Sequence, residues 1–71
     1  MRYILKTPVC VFEIRKRDDL WELYANDECY GHSENPVALA DNVASWATGC
    51  PEWDGAYILI DHGLGSWLRL P

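Results

Sequence analysis

Apolar and polar residues alternate along the first third of the chain. In VCVFEIRK, residues 9–16, every second residue from Cys10 to Ile14 is apolar, and charged residues gather on the opposite face of an extended backbone. This period of two predicts a strand with one buried face. LWELY, residues 20–24, alternates again after the polar turn Arg17-Asp18-Asp19, so we expect the two stretches to form a hairpin.

Two more stretches have strand character. A second turn at residues 25–28 leads into a short strand from Cys29 to His32. The segment from Arg2 to Lys6 can form an additional N-terminal edge strand, which would end before Pro8.

A helical period replaces the alternation after Ser33. Asn35 is a suitable N-cap, and Pro36 suits the first helical position because its missing N–H would have no partner there. Gly49 and then Pro51 end the pattern. The spacing predicts one helix over residues 36–48, flanked by Leu39 and Trp46, with an apolar stripe of Val37, Ala40, Val43, Ala44 and Ala47.

The last third reads as a loop and two strands. CPEWDG (50–55) is the predicted loop, AYILID (56–61) a strand, HGLGS (62–66) a turn and WLRL (67–70) a closing strand. The predicted order is β-β-β-α-β-β, which the additional N-terminal strand can precede. This order predicts a small two-layer α+β domain, an antiparallel sheet with one helix packed on one face.

The size of the chain bounds its organisation. Its 71 residues are 49% hydrophobic and include four Trp, which is enough for one domain spanning residues 1–71. No apolar run approaches the ~20 residues of a membrane-spanning helix, and Lys6 and Pro8 interrupt any signal-peptide core. We therefore expect a cytoplasmic protein that contacts no membrane and keeps its three cysteines reduced.

Charge is distributed unevenly along the chain. Residues 1–17 contain most of the basic side chains and one acid, Glu13, whereas residues 18–68 contain acids and neither Lys nor Arg. Because Lys and Arg contacts supply most of the affinity for nucleic acids, this layout argues against direct nucleic-acid binding. Acidic side chains can also serve only to keep a small protein in solution.

Cys29 and His32 have the C-x2-H spacing of half a zinc site. Residues three apart in a regular strand point to opposite sides, so we expect this pair to be structural. A turn at this position would instead allow a Cys2His2 site formed by Cys29, His32, Cys50 and His62, although the spacing matches none of the common zinc motifs. We predict no bound metal and no cofactor.

Two catalytic arrangements can be considered. Asp61, His62 and Ser66 offer an acid, an imidazole and a hydroxyl, but neighbours in one tight turn seldom place a nucleophile in line with its base. Cys50 and His62 could form a nucleophilic thiol–imidazole pair, but the acidic surroundings disfavour the thiolate. We therefore expect the protein not to be an enzyme.

These features favour a non-catalytic module that contacts another protein through acidic residues. Trp53 lies in a loop between acids, where it either folds back over the end of the helix or stands out as a contact residue. The partner would be an unidentified protein with a basic patch. The predicted contact surface consists of Asp18, Asp19, Glu22, Asp27, Glu28, Glu52, Trp53 and Asp54.

Three alternatives stay open. The protein could mimic nucleic acid and inhibit an enzyme that handles it, as small phage-type inhibitors do. It could also be a small zinc-binding or thiol-dependent protein that uses Cys29, Cys50 and His62. Finally, an exposed edge strand could pair two copies into a homodimer.

Overall fold

Five strands form one antiparallel sheet in the computed structural model, which describes residues 1–71. Their order is β4-β3-β2-β1-β5, where the strands are β1 (Arg2–Lys6), β2 (Val11–Arg17), β3 (Leu20–Ala25), β4 (Glu28–Ser33) and β5 (Leu68–Leu70). The helix α1 (Pro36–Ala44) packs on β4, β3 and β2. The α+β prediction is confirmed. The additional N-terminal strand is β1, although it pairs with β2 and β5 and is not an edge strand.

The turn between β3 and β4 shows how local sequence sets the hairpin register. Asn26 and Asp27 have φ values of 49° and 70°, the left-handed pair that a two-residue hairpin turn requires. Asn26 also extends the pairing of β2, because its N–H donates to the carbonyl of Val11 at 3.0 Å and its Oδ1 accepts the N–H of Val11 at 2.9 Å. Asparagine tolerates this backbone region better than most residues.

The helix α1 begins where the sequence predicts and ends early. Asn35 Oδ1 accepts the N–H of Val37 at 3.0 Å, and Pro36 occupies the first helical position. The helix ends at Ala44, before the predicted Thr48, because Trp46 adopts a left-handed φ of 55°. The buried stripe is correspondingly shifted, since Val37 and Ala47 are exposed and the buried residues are Leu39, Ala40, Val43 and Ala44.

Two predictions for the last third are wrong. The predicted loop contains a short helix, α2 (Pro51–Asp54), with Pro51 at its first position and Gly55 at its end. The predicted strand AYILID pairs with no other strand, and Tyr57 near its start has a left-handed φ of 53°. The closing strand is confirmed as β5, which pairs antiparallel with β1.

One hydrophobic cluster lies between the sheet and α1. Its largest fully buried side chains are Trp53, Phe12, Ile14, Leu23, Leu39 and Val43. Ile58, Ile60 and Leu64 pack against the edge of this cluster and so hold the irregular segment in place. Neither helix has the length or the apolar character that a membrane-spanning helix requires.

Candidate functional site

The sheet is covered on one side only, so the molecule has two unlike faces. Residues 34–66, here called the helical layer, follow β4 and pack on the covered side. The opposite side, here called the open face, exposes Val11 and Leu68 at 43% and 61%. The charged side chains on the strands of this face are Arg2, Lys6, Glu13, Arg15, Arg17 and Glu22.

The acids of the open face are neutralised locally. Glu13 Oε2 lies 3.4 Å from Arg2 Nη1 and 3.1 Å from Arg15 Nε. Glu22 lies 3.9 Å from Arg17 and accepts the hydroxyl of Tyr24 at 3.1 Å. Basic side chains still outnumber acidic ones here, so the open face is the more positive side of the molecule.

The helical layer has the opposite character. It contains no Lys or Arg, and its carboxylates belong to Glu34, Asp41, Glu52, Asp54 and Asp61. Within the layer, His62 Nδ1 lies 3.4 Å from Asp41 Oδ1. The layer itself has no fixed cation, but the strands contribute Lys16 and Arg69 to the covered side, where they pair with Trp21 and Tyr3. Carboxylates still outnumber basic groups on this side.

The acidic turns proposed as one contact surface are divided between two ends of the sheet. Asp18 and Asp19 form the β2–β3 turn, and Asp27 lies in the β3–β4 turn at the other end of β3. Six residues of β3 separate the two turns, a distance of about 20 Å. Asp27 is also paired with Arg15, at 3.5 Å. These residues cannot form one continuous patch.

A shallow groove of about 380 Å³ lies beside the first of these turns. Its walls are Arg17, Asp18, Asp19, Leu20 and Glu22, of which only Leu20 is apolar. Ligand pockets are mostly apolar and enclosed, so this groove is a poor candidate for a small-molecule site.

The fold also brings together Glu28 and Glu52, two members of the predicted set that are distant in the sequence. Both line a cleft of about 180 Å³ between the β3–β4 turn and α2. The hydroxyl of Tyr30 donates to Glu28 Oε2 at 2.9 Å, and the thiol of Cys50 donates to Glu52 Oε2 at 3.4 Å. The hydrogen bond to Glu28 raises the pKa of Tyr30 well above its usual value, and burial and Cys50 act in the same direction.

Cys10 also lines this cleft. Burial raises the pKa of its thiol, a hydrogen bond with Thr7 opposes that shift, and Cys50 and Glu52 add to it. A thiol with a raised pKa is largely protonated at neutral pH, and the protonated form is a poor nucleophile. The cleft therefore does not activate Cys10.

Trp53 is fully buried, so its assignment to a contact surface is wrong and the alternative, folding back over the end of the helix, is confirmed. Its ring lies 5.1 Å from that of Phe12 in an edge-to-face arrangement. Asp54 has a structural role, because its carboxylate accepts from Thr48 N at 3.1 Å, Thr48 Oγ1 at 2.8 Å and Gly49 N at 2.8 Å.

The segment from Tyr57 to Asp61 is a surface feature that the sequence reading placed inside the sheet. Tyr57 and Leu59 are 69% and 83% exposed, whereas Ile58 and Ile60 are half-buried. Trp46 holds the segment through a bond from its Nε1 to the Ile58 carbonyl at 2.9 Å. The sequence gives no indication of this exposure, because an apolar run with the composition of a strand is expected to pair within the sheet.

Cys29 and His32 lie on the same side of the sheet, so the prediction that they point to opposite sides is wrong. A bulge between β3 and β4 leaves Tyr30 unpaired, so Cys29 pairs with Tyr24 and His32 with Glu22, both on the open face. No group of three or more His, Cys, Asp or Glu side chains in the structure could hold a metal ion.

The other candidate pairs are engaged elsewhere. His62 lies against Asp41, and Ser66 Oγ donates to Asp61 Oδ2 at 3.4 Å, so the imidazole and the hydroxyl do not face each other. The thiol of Cys50 bonds to Glu52 and not to His62. Comparisons with protein-family models, with curated proteins and with solved structures give no match.

Proposed function

We propose that this protein is a non-catalytic module that binds a protein partner with basic side chains, and that the contact lies on the helical layer. One observation carries the proposal: this layer contains five carboxylates and no Lys or Arg, and it exposes the side chains of Tyr57 and Leu59. Exposed large side chains on a charged surface are typical of protein-binding surfaces. The partner needs basic groups to match this layer.

Electrostatics give such a contact a recognisable behaviour. A surface of one sign steers an oppositely charged partner and accelerates association, and salt weakens that attraction over a Debye length of ~8 Å at physiological ionic strength. Binding should therefore weaken as salt rises. The open face is a weaker candidate because Glu13 and Glu22 already occupy three of its arginines.

Affinity capture from the native host, at low and at high salt, tests the proposal with two matched variants. Glu52→Gln with Asp61→Asn removes two charges from the helical layer. Asp18→Asn with Asp19→Asn removes two charges from the β2–β3 turn, so both variants have the same net charge. We expect the first variant to lose a partner that the second retains, and high salt to release that partner. Equal retention by both variants would rule out the helical layer as the contact.

A further inference from the structure

We infer that the run from Ile58 to Asp61 is a strand-addition site, where an extended segment of the partner pairs with the protein backbone. This inference rests on the proposed function and specifies how the partner binds. In this mode main-chain hydrogen bonds supply much of the affinity, and alternate side chains supply the specificity.

The backbone of this segment is almost unbonded. None of the backbone N–H groups from Tyr57 to His62 donates a hydrogen bond, and among the carbonyls of the same residues only that of Ile58 accepts one. Backbone polar groups in folded proteins are otherwise nearly always paired, with protein or with water. Tyr57 has a left-handed φ of 53°, so the run with strand character begins at Ile58, where half-buried and exposed residues alternate up to Asp61 without a neighbouring strand.

The anchoring contacts determine which edge is free. In an extended chain the N–H and C=O of one residue point to the same side, and those of the next residue point to the other side. Trp46 Nε1 bonds to the Ile58 carbonyl, so the edge formed by Ile58 and Ile60 faces the end of α1. The opposite edge, formed by Leu59 and Asp61, is the edge that a partner strand can reach. Because the side chains of Ile58 and Ile60 pack against the core, this edge is held in position.

The regular sheet edges are less suited to strand addition. The edge strand β5 has only three residues, and the edge strand β4 contains the bulge at Tyr30. Short edge strands and bulges are the devices that prevent pairing with other chains. The run from Ile58 to Asp61 contains neither Lys nor Pro, and no strand of the sheet pairs with it.

Charge selects the occupant. A second copy would bring one acidic helical layer against another, with Asp61 near its own equivalent and no Lys or Arg in either layer. A partner strand that alternates basic and apolar side chains can instead place an apolar side chain on Leu59 and a basic one near Asp61. The occupant we assign is therefore an extended, basic segment of another protein.

A defined peptide provides the test. The probe is an eight-residue peptide of alternating Lys and Val with blocked ends, and binding is followed by calorimetry and by amide hydrogen exchange of the protein. Two control peptides carry methyl groups on the central backbone nitrogens, or Glu in place of every Lys. We expect the Lys-Val peptide to slow exchange of the Leu59 and Asp61 amides. We expect methylation to weaken binding about tenfold or more, since several main-chain hydrogen bonds are lost.

The outcomes separate this inference from the proposed function. Binding of the Lys-Val and methylated peptides with equal affinity, without amide protection, overturns strand addition and leaves the basic-partner proposal standing. Equal binding of the Lys and Glu peptides, with amide protection, supports strand addition and overturns the charge preference. Absence of binding by all three overturns both. A mass of twice 8.2 kDa for the free protein, with the same amides protected, overturns the assigned occupant in favour of a second copy.

A pair of protein variants gives an independent check. Leu59→Pro removes one N–H from the free edge, whereas Leu59→Ala removes the exposed side chain and keeps that N–H. Because Leu59 is 83% exposed, we expect both variants to keep the tryptophan fluorescence of the wild-type protein. The proline variant should bind the Lys-Val peptide about threefold to tenfold more weakly than the alanine variant, the loss expected for one hydrogen bond. Equal affinities would contradict strand addition at this edge.

Discussion

The indole Nε1 of Trp53 donates to the carbonyl of Val43 at 2.8 Å, inside the core. Val43 is in the last turn of α1, and its carbonyl also accepts the N–H of Trp46 at 3.2 Å. The indole of Trp67 is also buried, but its Nε1 has no acceptor. Both rings lie near Phe12, at 5.1 Å and 6.3 Å, and only that of Trp53 has a hydrogen bond.

Replacing each of these tryptophans by phenylalanine should separate the hydrogen bond from the packing. Both changes remove similar ring volume, but only Trp53→Phe breaks a bond. We expect Trp53→Phe to lower the free energy of unfolding by about 1 to 2 kcal/mol more than Trp67→Phe. Urea denaturation followed by circular dichroism measures both values. Equal losses would mean that the bond to Val43 adds nothing to stability.

Asp54 should matter for folding far more than its neighbour Glu52. Its carboxylate accepts three hydrogen bonds that close the loop between α1 and α2, two of them from the buried Thr48. We expect Asp54→Ala to lower the free energy of unfolding by about 2 to 3 kcal/mol, because buried donors lose their acceptor. Glu52→Ala, at an exposed position, should change it by less than about 0.5 kcal/mol. If the free energy of unfolding of Asp54→Ala equalled that of the wild-type protein, Asp54 would have no structural role in the loop.

The sequence predicted the elements whose signals are local and missed those that depend on distant partners. Alternation identified β2 and β3, and the Asn35-Pro36 pair identified the start of α1. The end of α1 depends on Trp46, whose indole bonds to Ile58 twelve residues further on. The AYILID segment has the composition of a strand, but a strand also requires a neighbour, and the two edge positions belong to β4 and β5.

The candidate site was harder to predict than the fold. The bulge at Tyr30 reverses the alternation of β4, so faces counted along the sequence are wrong beyond it. Likewise the acidic run is continuous in sequence, but the hairpins carry Asp18 and Asp27 to opposite ends of the sheet. The division of charge between two faces follows from the strand order, which the spacing of residues does not specify.

Tyr30 should ionise only at strongly alkaline pH, and Glu28 should be the cause. The raised pKa means that the folded state holds the phenolic proton more tightly than the unfolded state does. The stabilisation is therefore complete below the unfolded pKa of about 10, and is lost as pH rises from there toward the folded pKa. We expect Glu28→Gln to lower the pKa of Tyr30, measured by NMR of labelled tyrosine rings.

Tyr24 provides the matched control for that titration. Burial and its hydrogen bond to Glu22 raise the pKa of Tyr24. Glu22→Gln should therefore lower the pKa of Tyr24 and leave the pKa of Tyr30 unchanged. If Glu28→Gln left the pKa of Tyr30 unchanged, burial and Cys50 would be responsible for the shift.

The three cysteines should differ sharply in reactivity toward a disulfide reagent. Cys29 is exposed on the open face, whereas Cys10 and Cys50 are buried at 5% and 4% exposure. Burial also raises the pKa of Cys10, which lowers the fraction present as reactive thiolate at neutral pH. We expect one thiol to react at once and two to react about a hundredfold more slowly, after local opening. In Cys29→Ser the fast phase should vanish, and a fast phase that persisted there would show that the cleft beside α2 opens readily.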